Sequence, residues 1–266
     1  MPIDRKQADR IRVAVVVPVY TAALGAAEQI AARQCVTVLN RHPTFVIAPE
    51  GLDVRGLPFL GQLPVETFAR RFFDGFAGYN SLMLSPSFYE RFLKLGYDYI
   101  LIHQLDAFVF DDRVMEWCAK GYDYVGAPWA GISIPGLVWN SSRKEFVRKI
   151  PAFLKLLLRG KLNYAVGNGG LSLRRTESCI RYLQELIASG LTPKFNEDLF
   201  WLLEVVSRYR AFRTPGWQEA LGFAFEMNPA RCFELNRGKL PFGCHAWHKH
   251  DADFWRPIFA RLGYAI

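Results

Sequence analysis

The sequence predicts an α/β fold in which a mixed, mainly parallel sheet is flanked by helices. Three observations predict it. The run R-V-A-V-V-V-P-V at 12–19 is β-branched without polar alternation, as a strand covered on both faces requires. Over the first half, such runs alternate with helix-forming stretches. A second long apolar run acquires polar groups, His103, Gln104 and Asp106, at its far part. Open α/β sheets bind ligands at the carboxyl ends of their strands.

In chain order, 12–19 opens the fold, and 21–40, rich in alanine and other helix formers, reads as a helix. The short apolar run 44–48, ending at Pro49, is the second strand. The stretch Y-D-Y-I-L-I-H-Q-L-D-A-F-V-F at 97–110 is too apolar for a half-exposed strand until it meets His103, Gln104 and Asp106, polar groups at the end of a buried strand. Asp111 is expected to cap a helix over 113–120, with Asp112 in its first turn and Gly121 closing it, which assigns both acids a structural role. A further strand over 122–127 ends at Pro128 and Trp129, and the second half mixes helices with loops. No Ser/Gly-rich linker, internal repeat or low-complexity tract divides the chain. The expectation is a single domain over 1–266, with a nucleotide-side half over 11–130 and an acceptor-side half over 131–250.

Composition excludes several classes. Of 266 residues, 51% are hydrophobic and 22% charged, too apolar for a disordered chain and too charged for a membrane bundle. The longest clean apolar stretch, 13–20, contains Pro18 and falls far short of the about 20 residues that span a bilayer. The first ten residues alternate charges and lack the apolar stretch of a secretory signal, so a cytoplasmic location is expected. Five scattered cysteines without a C-x-x-C pair indicate neither a disulfide framework nor a zinc site. Net charge is +8, and most of it is local. Seven basic residues against Glu145 fill 143–161, interleaved with Phe153, Leu154, Leu157 and Leu158. Such a segment packs its apolar face on the sheet or docks on an anionic membrane surface. No nucleic-acid reading module is visible, and no nucleic-acid partner is expected.

Four constellations could carry chemistry: Gln104-Leu105-Asp106, V-G-N-G-G at 166–170, Asn196-Glu197-Asp198, and F-G-C-H-A-W-H at 242–248. An acid at a strand end is a hard-oxygen ligand for magnesium or manganese, and histidine suits manganese. Equally, Asp106 could cap a turn and His245 could be a satisfied core histidine. The glycines allow positive φ and close backbone approach to a ligand. They are not a dinucleotide fingerprint, because Ser172 stands where its last glycine belongs. Asn196 suits an N-cap, and Glu197 and Asp198 suit the positive end of a helix. A carboxylate at a helix start can also accept a proton. Trp129 and Trp247 either pack or stack on sugar faces, while His248 and His250 read as surface residues unless His248 replaces His245 at a metal.

The order of these motifs resembles the GT-A-type glycosyltransferases, and most closely a bacterial family of predicted glycosyltransferases. The motifs that carry the resemblance are Y-I-L-I-H-Q-L-D-A-F-V-F, Y-D-Y-V-G-A-P-W, V-G-N-G-G-L-S-L-R, N-E-D-L-F-W and P-F-G-C-H-A-W, spread over roughly 11–250. The resemblance implies a GT-A-type, Rossmann-like fold and the transfer of a sugar from a nucleotide-diphosphate donor, UDP favoured by family habit. The acceptor implied is a hydroxyl of a glycan or lipid-linked glycan, as in polysaccharide biosynthesis. It implies a divalent metal, Mn2+ or Mg2+, held by Asp106 and His245. Donor contacts fall on Pro18, Val19, Tyr20, Glu50, Gln104, Asp106, Gly169 and Gly170. Asp198 is implied as the base of an inverting displacement, with Glu197 the weaker candidate. One departure is that Gln104 replaces the first acid of the D-x-D motif, so it brings no negative charge. The alternatives are a sugar nucleotidyltransferase or a non-catalytic module binding membranes or polyanions. If the acceptor is lipid-linked, 143–161 would hold the enzyme peripherally at the inner membrane surface.

Overall fold

The computed structural model describes residues 10–129, 166–191, 193 and 196–266, so the basic segment 143–161 lies outside the described residues. The chain runs β1 (Val13–Pro18), α1 (Ala26–Val38), β2 (Thr44–Pro49) and β3 (Val65–Phe68). A 3-10 turn, Arg70–Phe73, leads into α2 (Gly75–Met83) and α3 (Pro86–Lys94). Then follow β4 (Tyr99–His103), β5 (Ala107–Val109), α4 (Val114–Ala119), β6 (Tyr124–Val125), β7 (Leu171–Arg175) and α5 (Thr176–Ala188). Three consecutive helical stretches, Glu197–Leu199, the π-helical Phe200–Val205 and Val206–Arg208, make α6. The described chain closes with α7 (Trp217–Ala220), β8 (Ala224–Phe225), α8 (Pro229–Leu235), β9 (Gly243–His245) and α9 (Ala252–Arg261).

Six strands form the main sheet in the order β3-β2-β1-β4-β7-β6. β1 pairs parallel with β2 and β4, β2 parallel with β3, and β7 pairs antiparallel with β4 and β6. This is the α/β, mainly parallel arrangement expected from the sequence. Strand periodicity sorts the β1 side chains to two faces. Val13, Val15 and Val17 join the core under α1, while Ala14 and Val16 join the core containing Phe88, Phe92 and Trp201. Both faces are therefore apolar, which is why 12–19 shows no alternation.

The 97–110 run is not one strand. It breaks at Gln104-Leu105-Asp106, with β4 in the main sheet and β5 in a second, three-stranded sheet ordered β5-β9-β8. The Ala107 N–H donates to the Gln104 carbonyl (2.9 Å) and closes the corner. Two sheets meet here because β9 approaches closely through Gly243, where a Cβ would lie 2.5 Å from the Leu171 side chain and 2.6 Å from the Phe108 carbonyl. Behind the second sheet, Phe108, Phe225, Trp247, Trp255 and Phe259 form a separate aromatic core.

Other expectations shift. The helix expected over 21–40 begins at Ala26, because the Glu28 carboxylate takes the Gly25 N–H (2.7 Å) and starts it there. Neither Asp111 nor Asp112 caps α4, whose N-cap is Arg113. Asp111 accepts from Arg113 Nε (2.7 Å), and Asp112 pairs with His42 (2.8 Å), tying α4 to the loop before β2. Gly121 does end this region, with φ +71°. Among the described residues, no helix is long and apolar enough to cross a membrane.

His103, the last residue of β4, is fully buried, and burial pushes its pKa down to about 4. Below pH 6.5 the unfolded chain takes up a proton that the folded chain refuses until near pH 4. Stability contributed by neutral His103 is therefore lost on acidification across that window, by up to about 3 kcal/mol. Urea unfolding of wild type and His103→Leu at steps from pH 7 to 4 is expected to show the wild type losing that much more than the variant.

Candidate functional site

Two recesses open at the carboxyl ends of β1 and β4 and share Gln104. The larger, about 480 Å³, is lined by Pro18, Tyr20, Gln104, Asp106, the start of α1 and Lys249. The smaller, about 90 Å³, is lined by Asn168, Gly169, Gly170, Glu197, Asp198, Glu226 and His245, with Phe76 at its wall. Four separate sequence constellations thus converge on one place. Two expected donor residues do not. Val19 is wholly buried, with its N–H on the Ile47 carbonyl (2.9 Å), and lines neither recess. Glu50 lies exposed in the turn after β2 and lines neither recess.

The corner after β4 aims Asp106 at His245 on β9. Their Oδ1 and Nε2 atoms are 2.9 Å apart, and Gln104 Oε1 is 3.3 Å from the same nitrogen. Across the ring, Nδ1 faces Glu226 Oε1 (3.3 Å) and the Asn168 amide (3.0 Å). Burial disfavours an imidazolium, but Asp106 and Glu226 on either side push His245 up to about 10. Burial likewise opposes the Asp106 carboxylate, yet His245 and Lys249 hold it well below the usual range. Lys249 Nζ sits 2.8 Å from Asp106 Oδ2.

The glycine run has a steric reason rather than a conformational one, since Gly167, Gly169 and Gly170 are absent from the positive-φ glycines. A Cβ on Gly170 would lie 2.0 Å from His245 Nε2, and one on Gly169 would lie 2.5 Å from Glu197 Oε2. Just before them, Asn168 turns its side-chain oxygen to the N–H groups of Gly170 (3.0 Å) and Leu171 (3.2 Å).

Asn196 makes no side-chain cap. Asn80 of α2 supplies it instead, accepting the Glu197 N–H at 2.7 Å. Glu197 does not face solvent at a helix dipole. It is buried against Arg174, itself without exposed surface, at 2.8 Å. Burial raises the Glu197 carboxyl above its ordinary range while Arg174 pulls the other way, and Glu197 in turn keeps Arg174 charged. Arg174 also donates to the Tyr89 hydroxyl (2.9 Å), Ser172 Oγ (3.0 Å) and the Gly169 carbonyl (3.2 Å). Asp198 is half-buried, and its Oδ1 accepts the Leu199 N–H (2.8 Å). The π-helical stretch begins two residues later. Such bulges are frequent at functional sites.

Trp129 and Trp247 pack rather than stack on ligand: both are 2% exposed. His248 is exposed on the rim of the larger recess, and His250 is half-exposed. Sequence reasoning missed Glu226, Lys249, Asn168 and Arg174 as site residues. Asn168 and Arg174 stand inside V-G-N-G-G-L-S-L-R. Glu226 is a polar residue ending the apolar run F-A-F, the same signal that marked Asp106.

Residues 62–245 match the family described as "Protein of unknown function (DUF5672)". No match is found among curated proteins. The fold is similar to that of mouse xyloside xylosyltransferase 1, crystallised in its apo form. At 12% identity the TM-score is 0.50, covering 88% of this chain and 96% of that one. The sheet and its flanking helices thus have the GT-A glycosyltransferase architecture.

Removing one partner of a buried ion pair leaves an uncompensated charge, at a cost of about 3–5 kcal/mol. Arg174→Met is expected to lose that much stability in denaturant unfolding, and Arg174→Met with Glu197→Gln to recover part of it.

Proposed function

Because the chain belongs to the DUF5672 family, whose description assigns no activity, we propose from the site itself that it transfers a sugar from a nucleotide-diphosphate donor to a hydroxyl of a glycan, free or lipid-linked. The observation that carries this reading is the convergence of Gln104-Leu105-Asp106, the glycine run, Asp198 and His245 on two joined recesses. The fold similarity to a glycosyltransferase supports the same class.

Pro18 and Tyr20 would border the nucleotide, and Gln104 and Asp106 the diphosphate, with UDP the favoured nucleotide. Gly169 and Gly170 leave room for the sugar above His245 and Glu197. A divalent cation fits the donor set of Asp106 and His245. One hard oxygen and one imidazole nitrogen, 2.9 Å apart on the same cleft wall, match manganese or magnesium chemistry. Glu226 behind the ring would fix its orientation, as carboxylates do for metal-binding histidines. Among the described residues no third His, Cys, Asp or Glu completes a metal group, so the donor's phosphate oxygens would contribute. When bound, such a cation offsets the charge that develops on the leaving phosphate.

In the transfer step the acceptor oxygen attacks the anomeric carbon as the bond to the diphosphate breaks. The acceptor's proton goes to a carboxylate. Asp198 suits that role because it lines the smaller recess and is half-buried, whereas Glu197 is committed to Arg174. Glu197 therefore positions Asp198 rather than taking the proton itself. An attack opposite the leaving group inverts the anomeric centre.

Asp198→Asn is expected to lower transfer by about two or more orders of magnitude, the usual scale of general-base catalysis, while nucleotide binding persists. Asp106→Asn is expected to remove metal-dependent donor turnover with the fold intact. Nucleoside-diphosphate release with and without manganese, and NMR of the product anomer, check these outcomes. A retained configuration, or full activity of Asp198→Asn, would overturn the assignment of the base.

A further inference from the structure

The turn after β9 is held against backbone strain. Ala246 has φ +51°, in the left-handed region that residues with side chains rarely adopt. Two anchors keep it there. Its N–H donates to the Asp106 carbonyl (2.8 Å), and the next residue, Trp247, packs its ring 4.8 Å from Phe259 in the aromatic core. The Lys249 N–H then closes the turn on the Ala246 carbonyl (2.9 Å). This geometry carries the lysine into the larger recess, where Nζ meets Asp106 Oδ2 at 2.8 Å. Strain of this kind persists only where the surroundings over-determine it, and it clusters at ligand clamps.

Charge gives the placement a purpose. The larger recess is lined by two acids, Asp106 and Glu28, and Glu28 is turned back to the Gly25 N–H (2.7 Å). Asp106 faces the recess with His245 on one oxygen and Lys249 on the other. Gln104 adds no charge. Among the described residues that line this recess, Lys249 alone is a lysine or arginine, and a diphosphate carries several negative charges. The lysine side chain is 58% exposed and the Asp106 side chain 18%, and His245 stays on the other Asp106 oxygen, so Nζ can turn to a bound phosphate without leaving the carboxylate unpartnered. A lysine on its flexible stem is a mobile point charge, suited to following a phosphate.

We propose that Lys249 is a donor-binding residue: before the donor arrives it is the counter-ion of Asp106, and it then moves to the diphosphate and leaves Asp106 to a divalent cation. The inference rests on reading this cleft as a nucleotide-sugar site. It has two linked consequences. Diphosphate binding without metal depends on Lys249. Divalent cation alone binds better without Lys249, because the ammonium no longer competes for Asp106.

The test is titration calorimetry of UDP, GDP, CDP and dTDP with a chelator present, beside Mn2+ binding followed by electron paramagnetic resonance. Wild type, Lys249→Met and Lys249→Arg are compared. At least one nucleoside diphosphate is expected to bind wild type without metal and to bind Lys249→Met about tenfold or more weakly, the scale of one lost charge-assisted contact. Lys249→Arg is expected to retain that binding, and Lys249→Met to bind Mn2+ more tightly than wild type does. If a diphosphate binds wild type and Lys249→Met equally, the role of Lys249 is overturned while the donor site stands. If none binds wild type with or without Mn2+, the donor-site reading falls and the inference with it.

Discussion

A guanidinium with no exposed surface, on β7, meets a buried carboxylate at the first residue of α6, and the candidate site is assembled around that contact. Arg174 reaches the Glu197 carboxylate, the Tyr89 hydroxyl on α3 and the Gly169 carbonyl in the glycine run. One side chain thereby fixes the sheet, a helix on its face and the loop that forms the smaller recess. Asp198 inherits its position from its neighbour, since Glu197 is held by Arg174 at its carboxylate and by Asn80 at its N–H. Buried ion pairs are poor sources of net stability, because desolvation offsets much of their attraction. Here the pair defines where the neighbouring Asp198 carboxylate stands.

The second constraint is the corner at Gln104-Leu105-Asp106. A single strand over 97–110 would have kept Asp106 within the main sheet. By breaking there, the chain starts a second sheet whose central strand, β9, delivers His245 opposite. Ala107 pairs with His245 in that sheet, so strand register itself sets the distance between the two side chains. Gly243 permits the close approach of β9, and Gly170 leaves the space that the His245 ring occupies beside the glycine run. A larger residue at Gly243 cannot be absorbed by a side-chain movement alone, because one neighbour, the Phe108 carbonyl, is backbone.

Much of this was legible locally. β1, β2 and the polar end of β4 follow from β-branched runs and their interruption, because burial on both faces leaves a plain mark in a sequence. The convergent motifs were recognisable as short strings with chemistry. Their mechanical roles were not. Gly169 and Gly170 promised conformational freedom, yet their need is space for Glu197 and His245, which lie far away in the chain. Asn196 looked like a cap, but Asn80 does that work from another helix. Trp129 and Trp247 left packing and sugar stacking both open, and their burial decides for packing.

Local sequence is enough for the α/β class, for the parallel strands at the front of the fold and for the short motifs that meet at the candidate site. These depend on side-chain periodicity and composition, which are properties of neighbouring residues. Contacts across the fold settle which of the two acids pairs with Arg174, where the two sheets part, and that Lys249 faces Asp106. Each of these turns on desolvation and on distances across the fold. Glu197 and Asp198 are adjacent acids in the chain, and they differ because a buried arginine from β7 claims one of them.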